Sequence, residues 1–414
     1  MKVLWITNIA FAHHQQMLGL QEIVTGGSWL YAAYDGAKRS SDVQLHIATS
    51  SNVKQLLKSE SEGNFFYILP GGGTRGYDID SADNLDYWKN LRSEVEPDLV
   101  IVWGTECRFS YVAMKAMEGL RIAIYMQGVI RSIYGHYFEG VPDKYRLCTI
   151  RDVMDKLDSN SQLNSYKTQV ALEKEMLKMA TAVIVENDWC EDLCKNINQR
   201  LKVYRNLLPI REVFYTKTWD INKMERHSIF TNAGGYPIKG HHILFQALSI
   251  VKKQIPNFKC YIPGTPLSVF DSVKRRNGYI KWLLNIIKDN HLESNIVFTG
   301  NLTSEKMVDR IACCNVYVMP SIMENHSSSL IEAMISGAPC VSSLVGGTAS
   351  IVNPKVNAIL YNSLDYESLA GSIIRIFEDD DLATKLSSNA LKIRDDRRTD
   401  FGEEMSIIYK DLMH

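Results

Sequence analysis

Long apolar runs are missing from this chain of 414 residues. None approaches the ~18–20 consecutive apolar positions that a membrane span requires. An excess of either charge is missing too. The formal net charge of -1 leaves no global field drawing the chain toward nucleic acid. Neither the Gly-x-Gly-x-x-Gly fingerprint nor the P-loop pattern opens the helix after the first strand, which argues against dinucleotide and P-loop chemistry there. Metal-ligand spacing is also lacking. Of the eight cysteines, only Cys190 and Cys194 form a close pair with a spacer, and no second pair or histidine cluster joins them. Most of the others lie in apolar runs, as buried reduced thiols of a cytoplasmic protein do. The carboxylate clusters Asp78-Ile79-Asp80 and Asp379-Asp380-Asp381 resemble paired metal ligands only superficially. The second follows an amphipathic helix, where Asp380 or Asp381 reads as a cap.

What is present is ordinary for a globular chain: 45% apolar and 22% charged residues, at a length that calls for two domains. The N-terminus, MKVLWITNIAFAHH, carries a signal-like Ala10-Phe11-Ala12. Its single lysine and its short apolar stretch, broken by Thr7 and Asn8, instead predict a buried strand. Further strand-like runs follow at 43–49, 97–104, 121–128, 181–187 and 201–206, with a helix from about Ser28 to Ser40. The pattern restarts at 228–235, with a helix from about Gly240 to Gln254 and strands at 258–264, 295–301, 315–321 and 338–343. These near-continuous β-branched runs fit parallel strands covered on both faces. The fold predicted is α/β: two Rossmann-like doubly wound domains facing each other across a cleft. The first covers 1–205 and includes an inserted segment, 129–168. The second covers 206–395, and 396–414 form a C-terminal helix.

In doubly wound sheets the ligand sits at the carboxyl ends of the strands. Three segments there carry candidates. Gly26-Gly27-Ser28 opens the first helix, either as a plain turn or as a backbone approach to an anion. Gly234 and Gly235 precede Tyr236-Pro237-Ile238-Lys239-Gly240. Lys239 is either a solvated loop lysine or a cation facing a phosphate at the helix start. The third segment, Pro320 to Pro339, places Ser321–Ser327 after a buried strand and starts a helix with Ser327 or Ser328 as its cap. Glu332 falls near the third or fourth helical position, where a capping box is the plainer explanation. Glu324 lies in the loop, so the two carboxylates are not a one-face helical pair. They read as hydroxyl-binding arms on either side of a diphosphate seated at the helix start, near Ser328 and Ser329. Segment 129–146 interleaves aromatics and bases, among them Arg131, Tyr134 and Lys144. It is either an inserted helical hairpin or an acceptor-binding surface.

Taken in order, these features resemble the family-4 retaining glycosyltransferases of GT-B architecture, of the bacterial surface-polysaccharide type. The match to Pro-Ser-x-x-Glu-x7-Glu-Ala-Met-x-x-Gly-x-Pro is Pro320, Ser321, Glu324, Glu332, Ala333, Met334, Gly337 and Pro339. VGGTASIV (345–352), YPIKGHHILFQAL (236–248) and VYRNLLPIREVF (203–214), with Asn206, fit further family segments. The resemblance implies that Glu332 binds the nucleotide ribose and that Glu324 lies near the transferred sugar. It implies that Lys239 and the amides around Ser328 and Ser329 hold the diphosphate, with Gly234, Gly235, Asn301 and Gly27 completing the donor set. Glu324 and Lys239 are the candidate catalytic pair. Gly26, Gln127, Asn325, His326, Arg131 and Tyr134 are candidates for the sugar and acceptor. No cofactor and no divalent metal are expected, since Lys239 and the helix amides would stabilise the leaving diphosphate.

Three departures stand out. The arginine expected about six residues before Lys239 is missing from Thr231–Gly235. Gln127 replaces a common histidine, and Asn325 replaces the usual glycine. The expected partners are a nucleotide-sugar and a glycan or lipid-linked glycan, with no nucleic acid. Lys274-Arg275-Arg276, ahead of YIKWLLNIIK, is a candidate for peripheral contact with the inner membrane surface; a helix packed on the second sheet is the plainer alternative. The C-terminal helix would cross back onto the first domain. Two other functions fit the architecture: a nucleotide-sugar 2-epimerase and a non-catalytic nucleotide-sugar binder.

Overall fold

A computed structural model describes residues 1–19, 28–39, 42–73, 76–146, 159–231, 235–264 and 278–414. The chain divides into two compact units. The first comprises Met1–Arg131, Ser165–Pro209 and Arg398–His414; the second comprises Ser132–Asn164 and Ile210–Arg397.

The first unit is built on an eight-stranded sheet of order β3-β4-β2-β1-β5-β6-β7-β8. Its strands are β1 (Lys2–Thr7), β2 (Gln44–Ser50), β3 (Leu57–Ser61), β4 (Asn64–Leu69), β5 (Leu99–Trp103), β6 (Arg121–Tyr125), β7 (Ala182–Val185) and β8 (Lys202–Arg205). All neighbouring strands pair in parallel except β3 with β4. Side chains alternate across a strand, so β1 feeds two cores: Leu4 and Ile6 pack on one face, Val3 and Trp5 on the other. The second face is covered partly by the C-terminal helix, Phe401–Met413. Its Phe401, Met405, Ile408, Tyr409 and Leu412 recur at helical spacing. Tyr409 is tied down by the Trp5 indole, which donates to its hydroxyl (3.0 Å). Asn206 is buried, accepts from the Tyr125 hydroxyl and donates to Glu404.

The second unit holds six parallel strands in the order β11-β10-β9-β12-β13-β14. They are β9 (Glu225–Thr231), β10 (Lys259–Pro263), β11 (Ile296–Gly300), β12 (Cys314–Met319), β13 (Cys340–Leu344) and β14 (Ile359–Asn362). The helix Gly278–Asp289 buries Tyr279, Ile280, Leu283, Ile286 and Ile287. Its apolar face is therefore used in packing; the basic triplet 274–276 lies outside the described residues.

Several expectations need correcting. Residues 132–164 group with the second unit, not the first. Tyr145 stacks on Trp282 and accepts from Asn285, and His242 shares a hydrogen bond with the Glu139 carbonyl. The β3–β4 hairpin and β14 went unpredicted. The cap of the helix Asp380–Ala390 is Asp379, which accepts from the Leu382 amide, while Asp380 pairs with Arg226. Cys190 and Cys194 are both buried in the first core.

Candidate functional site

Strand order reverses between β9 and β12 in the second unit, the topological switch point where a parallel sheet leaves a crevice. Here Thr231 at the end of β9 donates its hydroxyl to the Val318 carbonyl of β12 (2.8 Å). The chain leaving β12 meets the turn Pro237–Lys239. The Ile322 amide donates to the Ile238 carbonyl (2.8 Å), locking the two loops together. Gly240 makes this approach feasible. Its φ of +70° favours glycine, and a Cβ there would lie 1.8 Å from the Pro320 carbonyl oxygen.

This register brings Lys239 onto Glu324, with Nζ 2.6 Å from Oε1; the Ser321 hydroxyl donates to the same oxygen (2.8 Å). Both side chains are mostly buried, at 21% and 16% exposure. Burial by itself would lower the lysine pKa, but the Glu324 carboxylate outweighs it and holds Lys239 above its ordinary range. It is a cation throughout the neutral range. The Glu324 carbonyl is fixed in turn by the Gly347 amide (3.2 Å).

The helix Ser328–Ile335 begins immediately beyond this loop. Ser327 is its cap, accepting from the Leu330 amide (3.4 Å), and Ser327 and Ser329 hydroxyls lie 3.1 Å apart. With Ser327 as cap, Glu332 sits at the fifth helical position, beyond where a capping box closes. The capping explanation is thereby excluded. Glu332 instead pairs with Arg211, Oε1 to Nη2 at 2.8 Å. Burial pushes the Glu332 carboxyl above the usual range, and the Arg211 charge opposes that shift. Arg211 also bonds the Ser304 hydroxyl and lies over the Phe214 ring, 4.7 Å from its centroid.

Asn325 and His326 complete the loop. His326 Nε2 accepts from Arg397 (2.8 Å), and burial together with that cation brings its pKa down to about 3. His326 is therefore neutral at physiological pH. Arg211 and Arg397 were both missed in the sequence reading. Arg211 lies within the VYRNLLPIREVF segment, but its partner is 121 positions away.

The remaining candidates are dispersed. Gly235 is exposed, and Asn301 is exposed after the edge strand β11, two strands from the switch point. Gly26, Gly27 and Gly234 lie outside the described residues. Gln127 is partly exposed after β6 of the first unit. Arg131 is committed internally: its Nη1 pairs with the fully buried Glu173 (3.0 Å), and its Nη2 bonds the Leu193 carbonyl. Tyr134 belongs to the second unit and is partly exposed. Among the described residues, no cluster of three or more His, Cys, Asp or Glu side chains could hold a metal ion.

The second unit is thus a doubly wound α/β domain with a mostly buried lysine–carboxylate pair and a Ser327-capped helix beside its switch point. Residues 216–393, which contain this site apart from Arg211 and Arg397, match the family of glycosyl transferases group 1. The Bacillus subtilis protein YtcC is 26% identical over 158 residues, 38% of each chain. The matching stretch thus spans well under two thirds of that relative. Among solved structures, sucrose-phosphate synthase from Thermosynechococcus elongatus superposes with a TM-score of 0.73 at 16% identity, covering 100% of this chain and 99% of that one. Anabaena HepE in complex with UDP-glucose superposes with a TM-score of 0.68 at 17% identity, covering 99% and 100%. These neighbours share the fold, two α/β domains with parallel sheets, the GT-B architecture.

Proposed function

We propose that this protein transfers a sugar from a nucleotide-sugar to an acceptor hydroxyl, with retention at the anomeric carbon and without a divalent metal, in surface-glycan assembly. The observation carrying this reading is the Lys239–Glu324 pair beside the Ser327-capped helix at the switch point of a domain that matches glycosyl transferases group 1. UDP-glucose in the Anabaena relative supports a nucleoside-diphosphate sugar as the donor class.

In this reading the diphosphate lies against the first turn of Ser328–Ile335. Outward-facing amides and the helix dipole favour an anion there. Lys239 turns from Glu324 toward the phosphates and stabilises the charge that grows as the nucleotide departs. The sugar–phosphate bond breaks as the acceptor oxygen bonds the anomeric carbon from the same face, and the acceptor proton passes to the leaving phosphate. Glu332 accepts from the ribose hydroxyls, with the Arg211 charge opposing the burial that disfavours its ionised form. Glu324, once Lys239 engages the phosphate, faces the sugar.

The test is to incubate the protein with UDP-glucose and a panel of methyl hexopyranosides and lipid-linked sugars, following UDP release. Proton NMR of the product reports anomeric retention. The expected result is UDP release that depends on acceptor and survives EDTA. Formation of an epimerised nucleotide-sugar without acceptor would instead identify an epimerase. Binding of the donor with no turnover of any acceptor would leave a non-catalytic binder.

A further inference from the structure

The first unit has a switch point of its own, between β1 and β5. The residues leaving the strands there are polar. Asn8 follows β1, Glu106 follows β5, and Gln127-Gly128 follow the adjacent β6; all four are partly exposed. The Gly128 amide donates to Glu106 Oε1 (2.6 Å), and Asn8 Nδ2 lies 3.4 Å from Oε2. Gly104 makes room for this carboxyl: its φ is +82°, and a Cβ on it would stand 1.9 Å from Oε2.

A second carboxylate nearby shows what full compensation looks like. Glu173 receives the Thr105 hydroxyl (2.9 Å), the Ile130 amide (2.7 Å) and the Arg131 guanidinium (3.0 Å). Glu106 forms no ion pair among the described residues. Burial pushes its pKa up to about 7, the Gly128 amide opposes the shift, and the Glu173 charge adds to it. Arg131, the cation of this network, is spent on Glu173. Asn8 Oδ1 is buried and has no hydrogen-bond partner among the described residues. The two carboxylates thus differ in compensation: Glu173 is ion-paired to Arg131, whereas Glu106 is met by the Gly128 amide and Asn8.

We propose that Glu106 accepts a hydrogen bond from the acceptor's hydroxyl, in a sugar subsite formed with Asn8 and Gln127 at the first unit's switch point. The proposal rests on the transferase reading for the identity of the ligand as a hydroxylated acceptor. An ionised carboxylate is an acceptor only, whereas the protonated form presents a donor. The subsite therefore works best on the alkaline side of the Glu106 titration, and its affinity falls by about threefold in all across that titration.

Carbon-13 carboxyl NMR of the full chain, labelled at glutamate and compared with Glu106→Gln, tests this directly. The resonance missing from Glu106→Gln is expected to titrate near pH 7. Methyl glucoside, galactoside or mannoside is expected to lower that midpoint by about 0.5 unit, a threefold preference for the ionised form. A midpoint near 4, or one that no glycoside moves, would overturn the proposal. Asn8→Ala removes one donor without introducing charge; it is expected to raise the midpoint and weaken the glycoside effect, and an unchanged midpoint would count against the subsite. UDP-glucose binding by wild type and Lys239→Met is measured in parallel. A flat donor response with the expected Glu106 behaviour fails the transferase reading alone, and the converse fails the Glu106 proposal alone.

Discussion

Replacing Arg211 with methionine separates the two forces acting on Glu332. In the native protein a carboxylate with 10% side-chain exposure is balanced by a guanidinium with 24%. Removing one partner from a fully buried pair costs about 3–5 kcal/mol, because the other charge is left uncompensated. Arg211 is a quarter exposed, so water replaces part of what it supplies, and methionine keeps contact with Phe214. The cost expected at pH 8 is therefore about 2–3 kcal/mol, or about 4–12 °C in melting temperature. The deficit must depend on pH. Burial raises the folded-state pKa of Glu332, so the folded protein holds the proton more tightly than the unfolded chain. Between the unfolded value of about 4.3 and the folded one, stability falls as pH rises. Arg211→Met raises the folded value further and widens that window. The variant should therefore approach wild type near pH 4 and fall farthest behind at pH 8. Thermal melts of both proteins across that range provide the assay. Equal melting at pH 8, or a deficit that does not change with pH, would refute the assignment of Arg211 as the compensating charge.

Other outcomes follow from the same geometry. Lys239→Met removes a charge-assisted contact to phosphate worth about 1.5–3 kcal/mol, so calorimetry should find donor binding roughly 10- to 150-fold weaker. Glu332→Gln should mainly weaken donor affinity, whereas Glu324→Gln should mainly lower turnover; the reverse pattern would exchange their roles. Gly240→Ala sets a methyl 1.8 Å from the Pro320 carbonyl oxygen, so it should lower both melting temperature and donor affinity by displacing the Lys239 turn. His326 is already neutral, with a pKa of about 3, so His326→Asn should leave the pH–rate profile between pH 5 and 8 unchanged in shape.

The parallel strands were legible because covered strands are apolar throughout, as in LVIVW of β5. The β3 strand was not, because LKSES is a polar edge strand that pairs, among the described residues, with β4 alone. The Pro320–Pro339 pattern predicted a loop and a short helix after a buried strand, and the stop at Gly337 bounded that helix. The serine run left the cap ambiguous by one residue, and only the Ser327–Leu330 bond resolves Glu332 away from a capping role. Contacts between distant positions had no local signature. Neither Arg211 with Glu332 nor Tyr145 with Trp282 follows from a pattern in sequence, and the second pair joins the segment around Tyr145 to the helix Gly278–Asp289.

Thermal shift with UDP, GDP, ADP and their sugars tests the central claim most directly, because a ligand bound only by the native state raises its melting temperature. The account predicts that one nucleotide series stabilises the wild-type protein and that Lys239→Met loses most of that stabilisation. A flat response to every nucleotide and nucleotide-sugar, from a protein that melts cooperatively, would contradict it.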